Sequence, residues 1–180
     1  IGGASEAILI YNDLSGARTG GSVTITGGQI ICATAGAVKG LRIEHFSGAS
    51  VEGLEISDFT NPVVTTDADN LAIAPRINSP VNSNISFAAI LSTNCQDTTF
   101  DPSIRGRAGG FSTGVNLAGI LNKGVEVNAT KIASACCNGG VRAIINGIGI
   151  ANTGYYDSAG ASVAENAATA FIQVRGVIKV

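Results

Sequence analysis

Val38-Lys39-Gly40-Leu41-Arg42-Ile43-Glu44-His45-Phe46 is followed at once by a near copy, Val51-Glu52-Gly53-Leu54-Glu55-Ile56-Ser57-Asp58-Phe59. The pattern V-x-G-L-x-I-x-x-F therefore recurs after 13 residues. Apolar and polar residues alternate within each copy, as in a half-buried strand. Similarity at a fixed interval is how a solenoid is written in sequence. Weaker echoes follow at Asn70-Leu71-Ala72-Ile73 and Asn84-Ile85-Ser86-Phe87. Between the strands stand turn formers: Asn61-Pro62, Asp67-Ala68-Asp69, Pro75 and Asn78-Ser79-Pro80. Short strands at such spacing predict an all-β fold.

Composition agrees. The 180 residues include 24 glycines, no Met and no Trp, and only 13% are charged. Helical bundles carry more Glu, Lys and Leu than this, whereas short strands and tight turns suit it. With 45% hydrophobic and only 13% charged residues, the composition argues against disorder. The low charge also suggests that apolar surface is covered in an assembly. A net charge of −2 with no basic run argues against nucleic acid as a partner. No apolar run is long enough to span a bilayer as a helix, and no signal peptide is evident. A chain that begins at Ile1 and has no Met reads as a fragment or a processed product. Cys32, Cys95, Cys136 and Cys137 lack zinc spacing and read as small buried residues, with one disulfide as the alternative.

The charges of the repeat fit more than one strand order. Stacking the copies in parallel sets Lys39 on Glu52, Arg42 on Glu55 and His45 on Asp58. Folding them into a hairpin around Ser47-Gly48-Ala49-Ser50 sets Arg42 on Glu55, Lys39 on Asp58 and His45 on Glu52. Thirteen residues is also short for a full three-sided coil, so the copies can instead occupy different faces of one coil. Direct repetition favours the solenoid. An antiparallel β-sandwich is the alternative.

Three regions are expected. Residues 1–20 form an entry segment, and 21–114 a β-helix-like repetitive region with a trailing loop rich in glycine. Residues 115–180 lose the repeat and carry hairpin signals, Asn138-Gly139-Gly140 and Asn146-Gly147. Ile172, Val174, Gly176, Ile178 and Val180 alternate with Gln173, Arg175 and Lys179 in a last strand. This region is expected to be antiparallel and to serve in oligomerisation.

The two repeat copies resemble strands of pectin-lyase-like right-handed parallel β-helices, a group that includes polysaccharide lyases, hydrolases and bacteriophage tailspikes. The resemblance covers residues 21–91 and is a fold signature. A β-helix followed by an antiparallel region is similar to tailspikes and tail fibres. That resemblance implies a homotrimer or larger homo-oligomer, located on a virion or an extracellular surface, that contacts bacterial surface polysaccharide. It also implies assembly in a reducing cytoplasm, which suits unpaired cysteines. Catalytic members of the group usually have more coils than this chain can form.

No catalytic signature stands out, so a structural and receptor-binding role is expected ahead of an enzymatic one. If the chain is an enzyme, a glycosidase or polysaccharide lyase is expected. Candidate carboxylates are Glu44, Glu55, Asp58 and Asp67, since glycoside cleavage needs two carboxyl groups flanking one bond. Arg42 beside them would serve a lyase. A solvated, ion-paired face explains the same acids. His45, the one histidine, is a candidate base, or a surface residue. Asp67-Ala68-Asp69-Asn70 offers oxygen ligands but lacks an EF-hand pattern, and reads as an Asx-rich turn. Tyr155 and Tyr156, with Asn152 and Asp157, are candidates for stacking on sugar rings, or for packing in an interface. No cofactor and no metal are expected. A pilin-like filament subunit is the third reading, tied to the hairpin.

Overall fold

The computed structural model describes residues 6–12, 19–32, 39–78, 86–106, 110–118, 125–128, 131, 137–145, 148–149, 151–156, 162–164 and 172–175. These residues are all-β. The first coil holds β1 (Glu6–Tyr11), β2 (Thr19–Thr26) and β3 (Gln29–Ile31). The second holds β4 (Lys39–Glu44) and β5 (Phe46–Ser57), and the third β6 (Asn61–Thr66) and β7 (Ala72–Asn78). The fourth holds β8 (Ser86–Thr93), β9 (Thr99–Phe100) and β10 (Ser103–Arg105). The fifth holds β11 (Phe111–Ala118) and β12 (Val125–Asn128). Then come β13 (Cys137–Ile145), β14 (Ile148–Gly149), β15 (Ala151–Tyr156), β16 (Ser162–Ala164) and β17 (Ile172–Arg175). Among the described residues no helix is long and apolar enough to cross a membrane.

Successive coils stack into two parallel sheets, a β-solenoid. One sheet runs β1-β4-β6-β8-β11-β13, with β14 added antiparallel at its edge. The other runs β2-β5-β7-β9-β12-β17, with β3 and β10 beside β5 and β7. The antiparallel sandwich is therefore set aside. The parallel pairing extends through β11, β12, β13 and β17. Antiparallel pairing occurs in β13–β14 and β15–β16.

The two copies of the repeat are not neighbours. The first lies in β4, which pairs with β1 and β6. The second lies in β5, which pairs with β2, β3 and β7. Neither the stacked nor the hairpin set of charge pairs describes this arrangement. Thirteen residues is part of a coil, and the copies sit on the two sheets. A full coil is longer and variable: Leu41 stacks on Val63, 22 residues on, and Val63 on Ile90, 27 residues on.

Leu41 and Ile43 of the first copy and Val51, Leu54 and Ile56 of the second are brought inward by different local devices. In β4, Leu41 and Ile43 alternate regularly into the core. In β5, Val51 is buried and so is Leu54, three residues on. Gly53, with φ +67°, supplies the extra residue, and the pairing of β5 with β7 shifts there, between Glu52 and Glu55. Such a bulge bends the strand and restores the inward phase. Ile56, Ile77 and Ile104 can then stack in register with no solvent exposure. A second ladder, Leu41-Val63-Ile90-Val115, lines the first sheet, and a third, Val51-Ile73-Phe100-Val127, the second.

The passage from the first sheet to the second uses a repeated corner. His45, Asp67 and Asn94 follow β4, β6 and β8 and have φ of 52°, 48° and 55°. Three residues later Gly48, Asn70 and Asp97 have φ of 95°, 51° and 45°. Asn, Asp and His tolerate this left-handed region better than other residues with a Cβ. The corners stack by main-chain bonds: His45 N–H donates to Thr66 O (3.1 Å), Asp67 N–H to Thr93 O (2.9 Å) and Asn94 N–H to Ala118 O (3.1 Å). Side chains add rungs, with Asn94 Nδ2 donating to Asp67 Oδ1 (3.1 Å) and Asn70 Nδ2 to Ser47 Oγ (2.9 Å). Ala68 and Cys95 fill the inside of the corner, where Cys95 Sγ donates to Thr65 Oγ1 at 3.3 Å. Neither Cys32 nor Cys95 is in a disulfide. Cys136 lies outside the described residues.

The corner conformation makes a testable distinction. Asp97→Gly is expected to leave stability within about 0.5 kcal/mol of the parent, and Asp97→Val to cost about 1–2 kcal/mol. Urea denaturation of the two variants measures both.

Candidate functional site

The candidate site grows from the register of the first sheet. Tyr11, Glu44, Thr66 and Thr93 occupy one column across β1, β4, β6 and β8. They share strand parity with Leu9 and Arg42, opposite to that of the inward residues Leu41 and Ile43. The column therefore runs along the outer surface at the end where each strand enters its corner. Beside it stands the corner column His45, Asp67 and Asn94. With coils about 4.8 Å apart, the two columns form a polar strip across four coils, with an aromatic ring at one end.

Charges along the strip are linked in series. Glu6 Oε1 accepts from Lys39 Nζ at 3.4 Å and from Arg42 Nη1 at 2.9 Å. Arg42 Nη2 also pairs with Glu44 Oε2. Glu44 Oε1 lies 3.7 Å from His45 Nε2, and Asp67 Oδ2 lies 4.0 Å from His45 Nδ1. These last two distances are too long for hydrogen bonds. They become ion pairs only when the imidazole is protonated. Asp67 is held in turn by Asn94. The Tyr11 ring meets the His45 ring edge-on, with centroids 6.1 Å apart and planes at 60°. Tyr11 is 48% exposed, while the Glu6 and Glu44 side chains are 12% and 16% exposed. The strip thus offers an accessible ring over a half-buried ionic floor. Three carboxylates (Glu6, Glu44, Asp67) face two fixed cations (Lys39, Arg42), so the patch is acidic overall when His45 is neutral.

Of the four candidate carboxylates, the fold brings Glu44 and Asp67 to the two sides of His45. Glu55 lies in β5 and accepts from Asn78 Nδ2 at 3.0 Å, so it is tied to the next coil. Asp58 occupies the bend after β5, with φ 66°. Asn152, Tyr155 and Tyr156 lie on β15, where only the strand pairing is described, and Asp157 lies outside the described residues. Asp67-Ala68-Asp69-Asn70 is a corner of the solenoid. Among the described residues no three His, Cys, Asp or Glu side chains are grouped to hold a metal ion.

Sequence reasoning marked Glu44, His45, Arg42 and Asp67 but missed Glu6, Tyr11 and Asn94. The last three stand a coil away from the residues they meet, so no local spacing marks them. The one available signal was the corner itself. His45, Asp67 and Asn94 each follow a strand and each precede, by three residues, a Gly, Asn or Asp.

Set against known protein families, characterised proteins and solved structures, the chain matches none.

Proposed function

We propose that this chain is a structural, receptor-binding segment of the tailspike or tail-fibre type, homotrimeric or larger, which displays the Tyr11–Thr93 strip to bacterial surface polysaccharide. A parallel solenoid supports the reading because it is a rigid rod with a regular outer surface. The observation that carries it is the half-exposed Tyr11 ring, set edge-on to His45 at the head of a column of carboxylate and hydroxyl groups. A sugar ring presents an apolar face to an aromatic side chain, while its hydroxyls pair with carboxylates, amides and hydroxyls. The setting on a virion or an extracellular surface belongs to the same proposal.

Isothermal titration with capsule, O-antigen and pectin fragments tests this. Tyr11→Ala is expected to weaken binding by about tenfold, the scale of one aromatic contact. Its melting curve should be unchanged, because the ring is largely outside the core. Absence of binding by the parent protein to every glycan, or equal binding by the variant, would sink the reading.

One observation favours an enzymatic alternative, a glycosidase or lyase: Glu44 and Asp67 flank His45. If the strip cleaves glycans, new reducing ends or unsaturated sugars accumulate. In that case Glu44→Gln and Asp67→Asn should each lower the rate by about 100-fold or more, the scale of a lost acid or base. A parent protein that releases neither product removes this alternative.

A further inference from the structure

The polar strip has already committed its positive charge. Lys39 Nζ and Arg42 Nη1 both donate to Glu6 Oε1, Arg42 Nη2 pairs with Glu44 Oε2, and Arg42 Nε is buried without a partner. The guanidinium is thus turned onto carboxylates of its own chain and offers no open fork to an anion from solvent. Among the described residues of β1, β4, β6 and β8, and of the corners after β4, β6 and β8, no other Lys or Arg occurs.

Negative charge is what remains. Glu44 Oε1 and Asp67 Oδ2 stand 3.7 and 4.0 Å from the imidazole nitrogens, too far to accept from them. Each can still accept from a donor outside the chain. The same corners add Asp69 and Asp97. Glu6, Glu44, Asp67, Asp69 and Asp97 therefore stand with only Lys39 and Arg42, a balance of −3 with His45 neutral.

A negative field alone selects no ligand, and Tyr11 adds a second requirement. Its ring is 48% exposed at the head of the strip. An aromatic face takes the apolar side of a sugar ring and also attracts a cation through its quadrupole. Thr66 and Thr93, in register with Glu44, supply hydroxyl groups. An aromatic platform beside open carboxylate oxygens and hydroxyls fits a sugar ring that carries an amine.

We infer that the strip selects glycans whose sugars carry a free, cationic amine and rejects glycans built on uronate or phosphate sugars. The inference rests on the glycan reading above and names the class of glycan. The ammonium group sits beside the Tyr11 ring with Glu44 and Asp67 as its counter-charges, while Thr66 and Thr93 meet sugar hydroxyls. A uronate would bring its own carboxylate against Glu44 and Asp67 and find no open cation. Charge complementarity of this kind sets partner choice more than raw affinity.

Isothermal titration with three β-linked tetramers tests it: N-trimethylated glucosamine, N-acetylglucosamine and glucuronate, which are cationic, neutral and anionic. The cationic tetramer is expected to bind about tenfold more tightly than the neutral one, the scale of two half-exposed charge pairs. The glucuronate tetramer should bind more weakly than either. Raising salt from about 0.05 to about 0.5 M should erase the cationic advantage, because exposed pairs are screened. Glu44→Gln with Asp67→Asn keeps the side-chain shapes, and is expected to bind the cationic and neutral tetramers equally with an unchanged circular dichroism spectrum. A parent that binds the neutral or anionic tetramer as tightly as the cationic one, a preference unchanged by salt, or a folded double variant that keeps the preference would overturn the inference and leave the glycan reading standing. Binding to none of the three tetramers overturns it too, and the glycan reading falls with it only if capsule and O-antigen fragments also fail to bind.

Discussion

Gly48→Ala is expected to destabilise the solenoid by roughly 2–5 kcal/mol, combining left-handed backbone strain with overpacking. Gly48 has φ +95°, and a Cβ built there would lie 2.2 Å from the carbonyl oxygen of Gly21 in the neighbouring coil. That oxygen belongs to main chain within β2, so it cannot swing aside. Relief would require β2 to move off β5 and loosen the pairs from Val23–Ala49 to Thr26–Glu52. Gly48→Asn separates the two causes. Asn70 holds the equivalent place in the next coil at φ 51°, so Asn satisfies the corner but still brings the colliding Cβ. It should therefore lose nearly as much stability as the alanine variant. Chemical denaturation of both measures this, and an asparagine variant as stable as the parent would show that strain alone matters.

The second large effect is expected at Ile77. It has no solvent exposure and lies between Ile56 and Ile104 in an unbroken ladder. Ile77→Ala should cost about 3–4 kcal/mol and Ile77→Val about 1 kcal/mol. The alanine value belongs in the upper part of the usual range because the coils cannot close on the cavity. Their spacing is set by hydrogen-bonded strands about 4.8 Å apart. A urea midpoint shift at constant slope would report the loss of packing directly. A lower slope would show that the coils on either side of Ile77 have begun to unfold separately, as repeat structures can.

Local alternation is a property of adjacent residues, so it can be read from sequence. Leu41 and Ile43, and Leu54 and Ile56, point inward as alternation requires, whereas Val51 joins them only through the bulge at Gly53. The parallel solenoid followed from direct repetition. Strand partnership is another matter. Lys39 and Arg42 found Glu6, more than 30 residues away, whereas the sequence offered Glu52, Glu55 and Asp58 within a few turns of chain. Charge complementarity carries no direction, and several acids satisfy the same cation equally well on paper. The variable coil also hides register. Leu41 to Val63 and Val63 to Ile90 differ by five residues, taken up outside the ladders. The candidate strip was thus half legible. Glu44, His45 and Asp67 stood out by residue type, while Tyr11 joined them only through a register that no local spacing encodes.

The stacked corners and ladders also set how the molecule would carry a load. Hydrogen bonds between coils run along the solenoid axis, so tension applied along that axis falls on the coil-to-coil ladders in series. Each ladder is a separate joint, and the weakest yields first. Releasing one coil of 22 or 27 residues lengthens the chain by roughly 70–95 Å at about 3.3–3.6 Å per residue. Pulled from its ends, the rod should therefore yield in a sawtooth of steps of unequal length, each step reporting the size of the coil that opened.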